Sequence, residues 1–118
     1  FSSHALGPLV RHTIVGNRAV AAMSRTSRER DDIHAEAEWR TDDAAAIEAT
    51  RAVAERAARV LGLELAGVDA IAGPQGPIVV GVTASPAISL AERVTGAAIS
   101  EAIVVYLEQT ARPVVRNQ

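Results

Sequence analysis

The sequence predicts an α+β fold in which an antiparallel sheet of two hairpins is covered by helices on one face. Three observations carry that expectation. Two pairs of apolar runs, Val10 to Val15 with Ala19 to Met23 and Leu65 to Ala72 with Ile78 to Val82, are each joined by a glycine-bearing connection, which is the pattern of paired strands. Between the pairs, apolar residues recur at helical spacing from Thr41 to about Leu61. After the second pair, two more helical segments follow, Ala87 to Val94 and Ala97 to Thr110. Strands that come in hairpins, with helices between and after them, favour an antiparallel sheet over alternating crossover units.

Composition narrows the chemistry. At 118 residues the chain is the size of one domain, and residues 1–118 are treated as such. It begins with Phe1, so it is expected to be a processed chain or a fragment. The core must be built of small aliphatic layers, because 48% of residues are hydrophobic but only 3% are aromatic. Net charge is -2 with no basic block, which argues against a nucleic-acid partner. All 12 basic residues are arginine, so Schiff-base chemistry and phosphate-loop lysines are excluded from this chain. There is no cysteine, which excludes disulfides, thiolate nucleophiles and cysteine-ligated zinc. No run reaches the roughly 20 apolar residues of a membrane span. A soluble cytoplasmic protein is therefore expected.

Phe1 to Leu9 carries Gly7-Pro8 and no period, and reads as a lead-in segment. The first hairpin turns at Gly16-Asn17-Arg18. Arg11, near its start, is by default a solvated residue on an exposed strand face. From Ser24 to Arg40 the composition shifts to Ser, Arg, Glu and Asp, which predicts a long polar loop over residues 24–40. Loops of this length often cover a site. Asp31, Asp32 and His34 match no metal-ligand spacing and are read as solvated. Trp39, the only tryptophan, is expected to anchor the loop to the core.

Thr41 precedes the long helix and puts Asp42 and Asp43 in its first turn, where the helix dipole favours anions. The expected buried stripe is Ala46, Ala49 or Thr50, Val53, Ala57, Val60 and Leu61. Arg51 with Glu55, and Glu55 with Arg59, form four-residue pairs on the solvated side. Gly62 caps the C-terminus. The second hairpin turns on Gly73-Pro74-Gln75-Gly76-Pro77 and carries one charge, Asp69, among Val68, Ala70 and Ile71. A carboxylate there needs a cation, a donor cluster or a cleft, because burying it alone costs several kcal/mol. Ala84-Ser85-Pro86 breaks the last strand, Thr95-Gly96 separates the two final helices, and Pro113 ends regular structure. Ile99, Ile103, Val104 and Leu107 on the last helix suit either internal packing or contact with a second copy in a homo-oligomer.

Four strings carry a family resemblance. Ile14-Val15-Gly16-Asn17-Arg18-Ala19-Val20-Ala21-Ala22-Met23, Gly62-Leu63-Glu64-Leu65-Ala66-Gly67-Val68-Asp69, Gly76-Pro77-Ile78-Val79-Val80-Gly81-Val82-Thr83-Ala84-Ser85-Pro86 and Glu92-Arg93-Val94-Thr95-Gly96 resemble the C-terminal part of an ATP-grasp ligase. The type is RimK-like, the ribosomal-protein glutamate ligases, whose strings read like V-V-G-x-x-V-V-A-A-M, G-L-D-V-A-G-V-D, G-P-L-V-x-E-V-N-A-S-P-G and E-K-x-T-G. The resemblance implies a C-terminal ATP-grasp lobe and ATP-dependent ligation of a carboxylate to an amine through an acyl phosphate. ATP and magnesium are the implied cofactors. It also implies an N-terminal lobe, or another protein chain, as the partner that completes the site.

Carried over position by position, the resemblance implies Asp69 and Thr83 as metal-site residues and Arg11 and Arg30 as ATP contacts. The family's glutamate is replaced by Gly81 and its asparagine by Thr83. Its first-strand D-I-R reads Leu9-Val10-Arg11, and around Arg30 and His34 its asparagine, second arginine and glycines are missing. Two readings follow. One is a degenerate ATP-grasp domain, inactive as this chain and kept as a binding or scaffolding module. The other is the C-terminal half of an active amino-acid ligase. A fold unrelated to this family requires the four-part match to be chance.

Overall fold

A computed structural model describes residues 7–25 and 39–110. Arg30, Asp31, Asp32, His34 and Pro113, with most of the expected polar loop, lie outside the described residues.

The first hairpin joins β1 (Leu9–Val15) to β2 (Arg18–Arg25). Its turn is Gly16 at φ 60° and Asn17 at φ 72°, two left-handed residues in succession, which matches the twist of the flanking strands. The Gly16 N–H also donates to the Glu64 carbonyl at 2.7 Å, tying the turn to the start of the second hairpin. β2 is longer than its apolar run and takes Ser24 and Arg25 from the expected loop. Arg40 returns to pair with Ser24 through two backbone hydrogen bonds of 2.7 and 2.8 Å.

Helix α1 (Ala44–Val60) starts two residues later than a cap at Thr41 suggested. Asp43 is the cap itself, its carboxylate accepting the Ala46 N–H at 3.1 Å, so no acid stands in the first turn. Asp42 instead pairs with Arg40 at 3.1 Å on the surface. At the other end Gly62, at φ 72°, lets its own N–H reach the Arg59 carbonyl and the Leu63 N–H reach that of Ala58. That double bond pattern satisfies the carbonyls a helix terminus leaves open.

The second hairpin joins β3 (Leu65–Gly73) to β4 (Gly76–Thr83) around Pro74 and Gln75. Both hairpins lie in one antiparallel sheet of order β2-β1-β3-β4. Helices α2 (Ile88–Thr95) and α3 (Ile99–Thr110) follow. The Glu92 to Gly96 string builds the corner between them. Thr95 Oγ1 accepts the Ala97 N–H at 3.1 Å and donates to the Ala91 carbonyl, Gly96 turns at φ 75°, and Glu92 accepts the Ser100 N–H at 2.7 Å.

Helices cover both faces of the sheet, where the sequence suggested one. Ala54 and Ala58 of α1 close over Ile14, Ala66 and Val68. Ala91 of α2 and Ile99 of α3 pack with Val15, Met23 and Trp39 on the opposite side. Successive strand residues point to opposite faces, and Ile14 and Val15 divide the two cores in this way. The buried stripe of α1 is Ala46, Thr50, Ala54 and Ala58. Val60 and Leu61 are 72% and 58% exposed. Small side chains at every fourth position, three alanines and Thr50, bring the helix backbone close to the sheet, while Val60 and Leu61 at its end stay exposed.

Candidate functional site

On the α2 side of the sheet a cleft of about 360 Å³ is lined by Arg11, Thr13, Asp69, Gly81, Thr83 and Ser85, among others. Register assembles it. Arg11 stands opposite Asp69 across β1 and β3, Asp69 opposite Gly81 across β3 and β4, and Thr83 opposite Gly67. The β3–β4 ladder bulges next to Asp69, between Asp69 and Ala70. At Gly67 an added Cβ would sit 3.1 Å from Thr83 Cγ2 and 3.2 Å from Pro86 Cβ, so a larger residue would need those neighbours to give by a few tenths of an ångström. Glycine here lets the cleft wall approach the floor without that shift.

Arg11 is not the solvated residue expected from sequence. Its Nε donates to Asp69 Oδ1 at 2.8 Å and its Nη2 to Oδ2 at 2.9 Å, a two-pronged ion pair. Side-chain exposures of 32% for Arg11 and 25% for Asp69 leave the pair partly screened by solvent. The guanidinium pKa is raised, first by its hydrogen bond to Asp69 and against the opposing effect of burial, so Arg11 stays charged. Its Cζ also lies 4.8 Å from the centroid of the Trp39 ring, over which Arg25 Cζ lies at 4.9 Å. Trp39 is thus anchored to the core, and it carries two cations on its π surface. Thr83 is exposed, and its Oγ1 accepts the Ser85 N–H at 3.0 Å.

Two features escaped the sequence. His12 is completely buried on the α1 face, with its Nε2 2.7 Å from Thr50 Oγ1. The Thr50 hydroxyl donates to the Ala46 carbonyl at 2.9 Å, so it accepts from Nε2–H and leaves Nδ1 unprotonated. Nδ1 is buried with no hydrogen-bond partner among the described residues. Burial, and secondarily the charge of Arg51, push the His12 pKa down to about 4, against smaller opposing effects of Glu55 and Asp69. Alternation was the signal, since Val10, His12 and Ile14 share one strand face. The second feature is Glu55, whose carboxylate accepts the Ala19 N–H at 2.8 Å, where the β1–β2 ladder is irregular. The expected Arg51–Glu55 and Glu55–Arg59 pairs give way to this bond and to an Arg51–Glu48 contact of 3.7 Å.

Among the described residues no group of three or more His, Asp or Glu side chains could hold a metal ion, and no helix is long and apolar enough to cross a membrane.

This sheet and its helices define an ATP-grasp lobe. The fold is similar to that of the ATP-grasp ligase PsnB solved with a phosphomimetic variant of its minimal precursor, Mg and ADP (TM-score 0.63, 21% identity, 90% of this chain and 33% of that one). PsnB with precursor peptide PsnA2 and AMPPNP gives a TM-score of 0.61 at 23% identity over the same shares. Residues 2–107 match the RimK-like ATP-grasp domain, and the chain belongs to that family. Its relatives include a probable alpha-L-glutamate ligase of Xanthomonas oryzae pv. oryzae (strain MAFF 311018), 41% identical over 95% of this chain and 38% of that protein. Another, from Cellvibrio japonicus (strain Ueda107), is 36% identical over 100% of this chain and 40% of that protein. The chain therefore spans about two-fifths of the length of the curated relatives it matches.

Proposed function

We propose that this chain is a RimK-like ATP-grasp domain whose metal site has degenerated, and that it acts as a binding or scaffolding module, most simply in the cytoplasm. One observation carries the reading. Asp69, the only acidic residue among the positions carried over from the family's metal ligands, has both carboxylate oxygens engaged by Arg11, and the residue directly across from it is Gly81.

The donor set does not fit magnesium. Mg²⁺ gives up its waters reluctantly and is held through carboxylates and phosphates in near-octahedral geometry. Here one carboxylate is already neutralised, Gly81 has no side chain, and the Thr83 hydroxyl is a neutral donor that accepts the Ser85 N–H. Nor does the backbone demand glycine at position 81. Gly81 is not among the glycines with positive φ, and an added Cβ would meet only Asp69 Cβ, at 4.0 Å. The missing carboxylate is a property of the sequence.

Calorimetric titration of the 118-residue chain with magnesium and ATP, followed by a phosphate-release assay, tests this. No saturable magnesium-dependent binding and no turnover are expected. Turnover abolished by Asp69→Ala would overturn the reading.

A second reading is favoured by the 36–41% identity to probable alpha-L-glutamate ligases of which the chain spans about two-fifths. In it the domain is half of a glutamate-transferring ligase, and Arg11 and Arg30 meet the nucleotide once another lobe supplies the remaining contacts. Turnover that appears only when such a lobe is added would select it.

A further inference from the structure

We infer that Arg11 is the cleft's built-in cation, and that a divalent ion gains Asp69 only when Arg11 is displaced. The inference rests on the degenerate reading and says what took the metal's place. The two residues are direct register partners on neighbouring central strands, so the pairing is built into the sheet. Both Asp69 oxygens are engaged at 2.8 and 2.9 Å, by the two guanidinium nitrogens that match a carboxylate edge.

Arg11 is also held from a second side. Trp39, only 8% exposed, presents its ring 4.8 Å from the guanidinium carbon, so swinging the arginine aside gives up the ring contact together with the ion pair. A magnesium ion at the usual distance of about 2.1 Å from an Asp69 oxygen would stand within about 5 Å of the guanidinium. Like charges at that range repel in a partly buried site. The open position at Gly81 is therefore only half of what keeps metal out.

The test is Mn²⁺ binding followed by electron paramagnetic resonance, with Mg²⁺ as competitor, on the full 118-residue chain. Four forms are compared: unmodified; Gly81→Glu with Thr83→Asn; that pair with Arg11→Gln; and that pair with Arg11→Lys. Circular dichroism checks that each is folded. The unmodified chain should not bind saturably and the paired variant only weakly. Adding Arg11→Gln should tighten binding by about tenfold or more, as removal of a neighbouring like charge does. Arg11→Lys, which keeps the charge, should not.

If the Arg11→Gln form binds no tighter than the paired variant, or if neither binds, Arg11 is not the barrier and the inference falls while the degenerate reading stands. If the unmodified chain binds Mn²⁺ as tightly as the Arg11→Gln form, the degenerate reading falls. Should the triple variant fail to fold, Arg11→Gln alone decides. It must bind Mn²⁺ more tightly than the unmodified chain, and Asp69→Asn must remove the gain.

Discussion

Arg11 and His12 are neighbours in the chain, and β1 sends them to opposite faces of one sheet. On the α1 face, His12 is fully buried, held neutral, and bonded through one ring nitrogen to Thr50. On the cleft face, Arg11 keeps its charge, pairs with Asp69 and remains about a third exposed. The neighbouring strand β3 likewise places Val68 against α1 and Asp69 in the cleft. Fully buried on the packed side, His12 survives by staying neutral, whereas Arg11 and Asp69 on the open side survive by pairing with each other. A site that binds ligands needs charges it can release, so only the second face has the makings of one.

The largest expected effect lies on the packed face. Ile14 is fully buried against Ala54, Ala58, Ala66 and Val68, and small neighbours cannot collapse into the space it fills. Ile14→Ala should cost about 3 to 4 kcal/mol, within the usual range for emptying a core site. Urea unfolding measures this, and a loss below about 1 kcal/mol would mean that the α1 face is not the rigid one.

His12 comes next and acts through pH. Its pKa in the fold is about 4, below the ordinary 6.5, so the unfolded chain takes up a proton before the folded one does. Stability contributed by neutral His12 is complete above pH 6.5 and is lost as pH falls from about 6.5 to about 4. The total is up to about 3 kcal/mol. His12→Gln keeps a donor for Thr50 but cannot titrate, so the unfolding midpoint of that variant should be flatter across this window. An equally steep fall in both proteins would assign the slope to the carboxylates.

The cleft face should respond more weakly. Asp69→Asn leaves Arg11 without its counter-charge, but solvent reaches both side chains, so a cost of about 1 to 2 kcal/mol is expected. In a double-mutant cycle with Arg11→Gln, most of that cost should vanish once the arginine is gone. Additive effects would mean that the pair is not coupled and that the two faces differ less than their geometry implies.

How much of this was legible in the sequence follows from the range of each interaction. Turn chemistry is local, so Gly16-Asn17 and Gly62 announce a hairpin and a helix end, and the four motif strings announce the family. The Asp69 problem was legible too, because a lone carboxylate in an apolar strand demands a partner. Its partner was not, since Arg11 lies 58 residues away and only the antiparallel register of β1 on β3 brings it near. The same holds for His12 with Thr50, 38 residues apart, and for Glu55 turning from its helix neighbours to the Ala19 amide. The second helical layer was missed because α2 and α3 bury only Ala91 and Ile99 fully. A stripe that narrow does not say which face of the sheet it will choose.

Val60 makes the smallest prediction and the one most directly opposed to the sequence pattern. Helical spacing puts it in the buried stripe with Ala57 and Leu61, yet the fully buried stripe ends at Ala58 and Val60, the last residue of α1, is 72% exposed. Removing its methyl groups therefore removes almost no contact with Ile14 or Val68, whose neighbours are Ala54 and Ala58. Exposed valine in a helix is also restricted at χ1, which alanine relieves. Val60→Ala should thus leave stability within about 0.5 kcal/mol of the parent, with the sign toward stabilisation. The urea midpoint decides between the two placements. A loss of about 2 kcal/mol, of the size expected for a buried valine, would return Val60 to the core and extend the packed face two residues beyond Ala58.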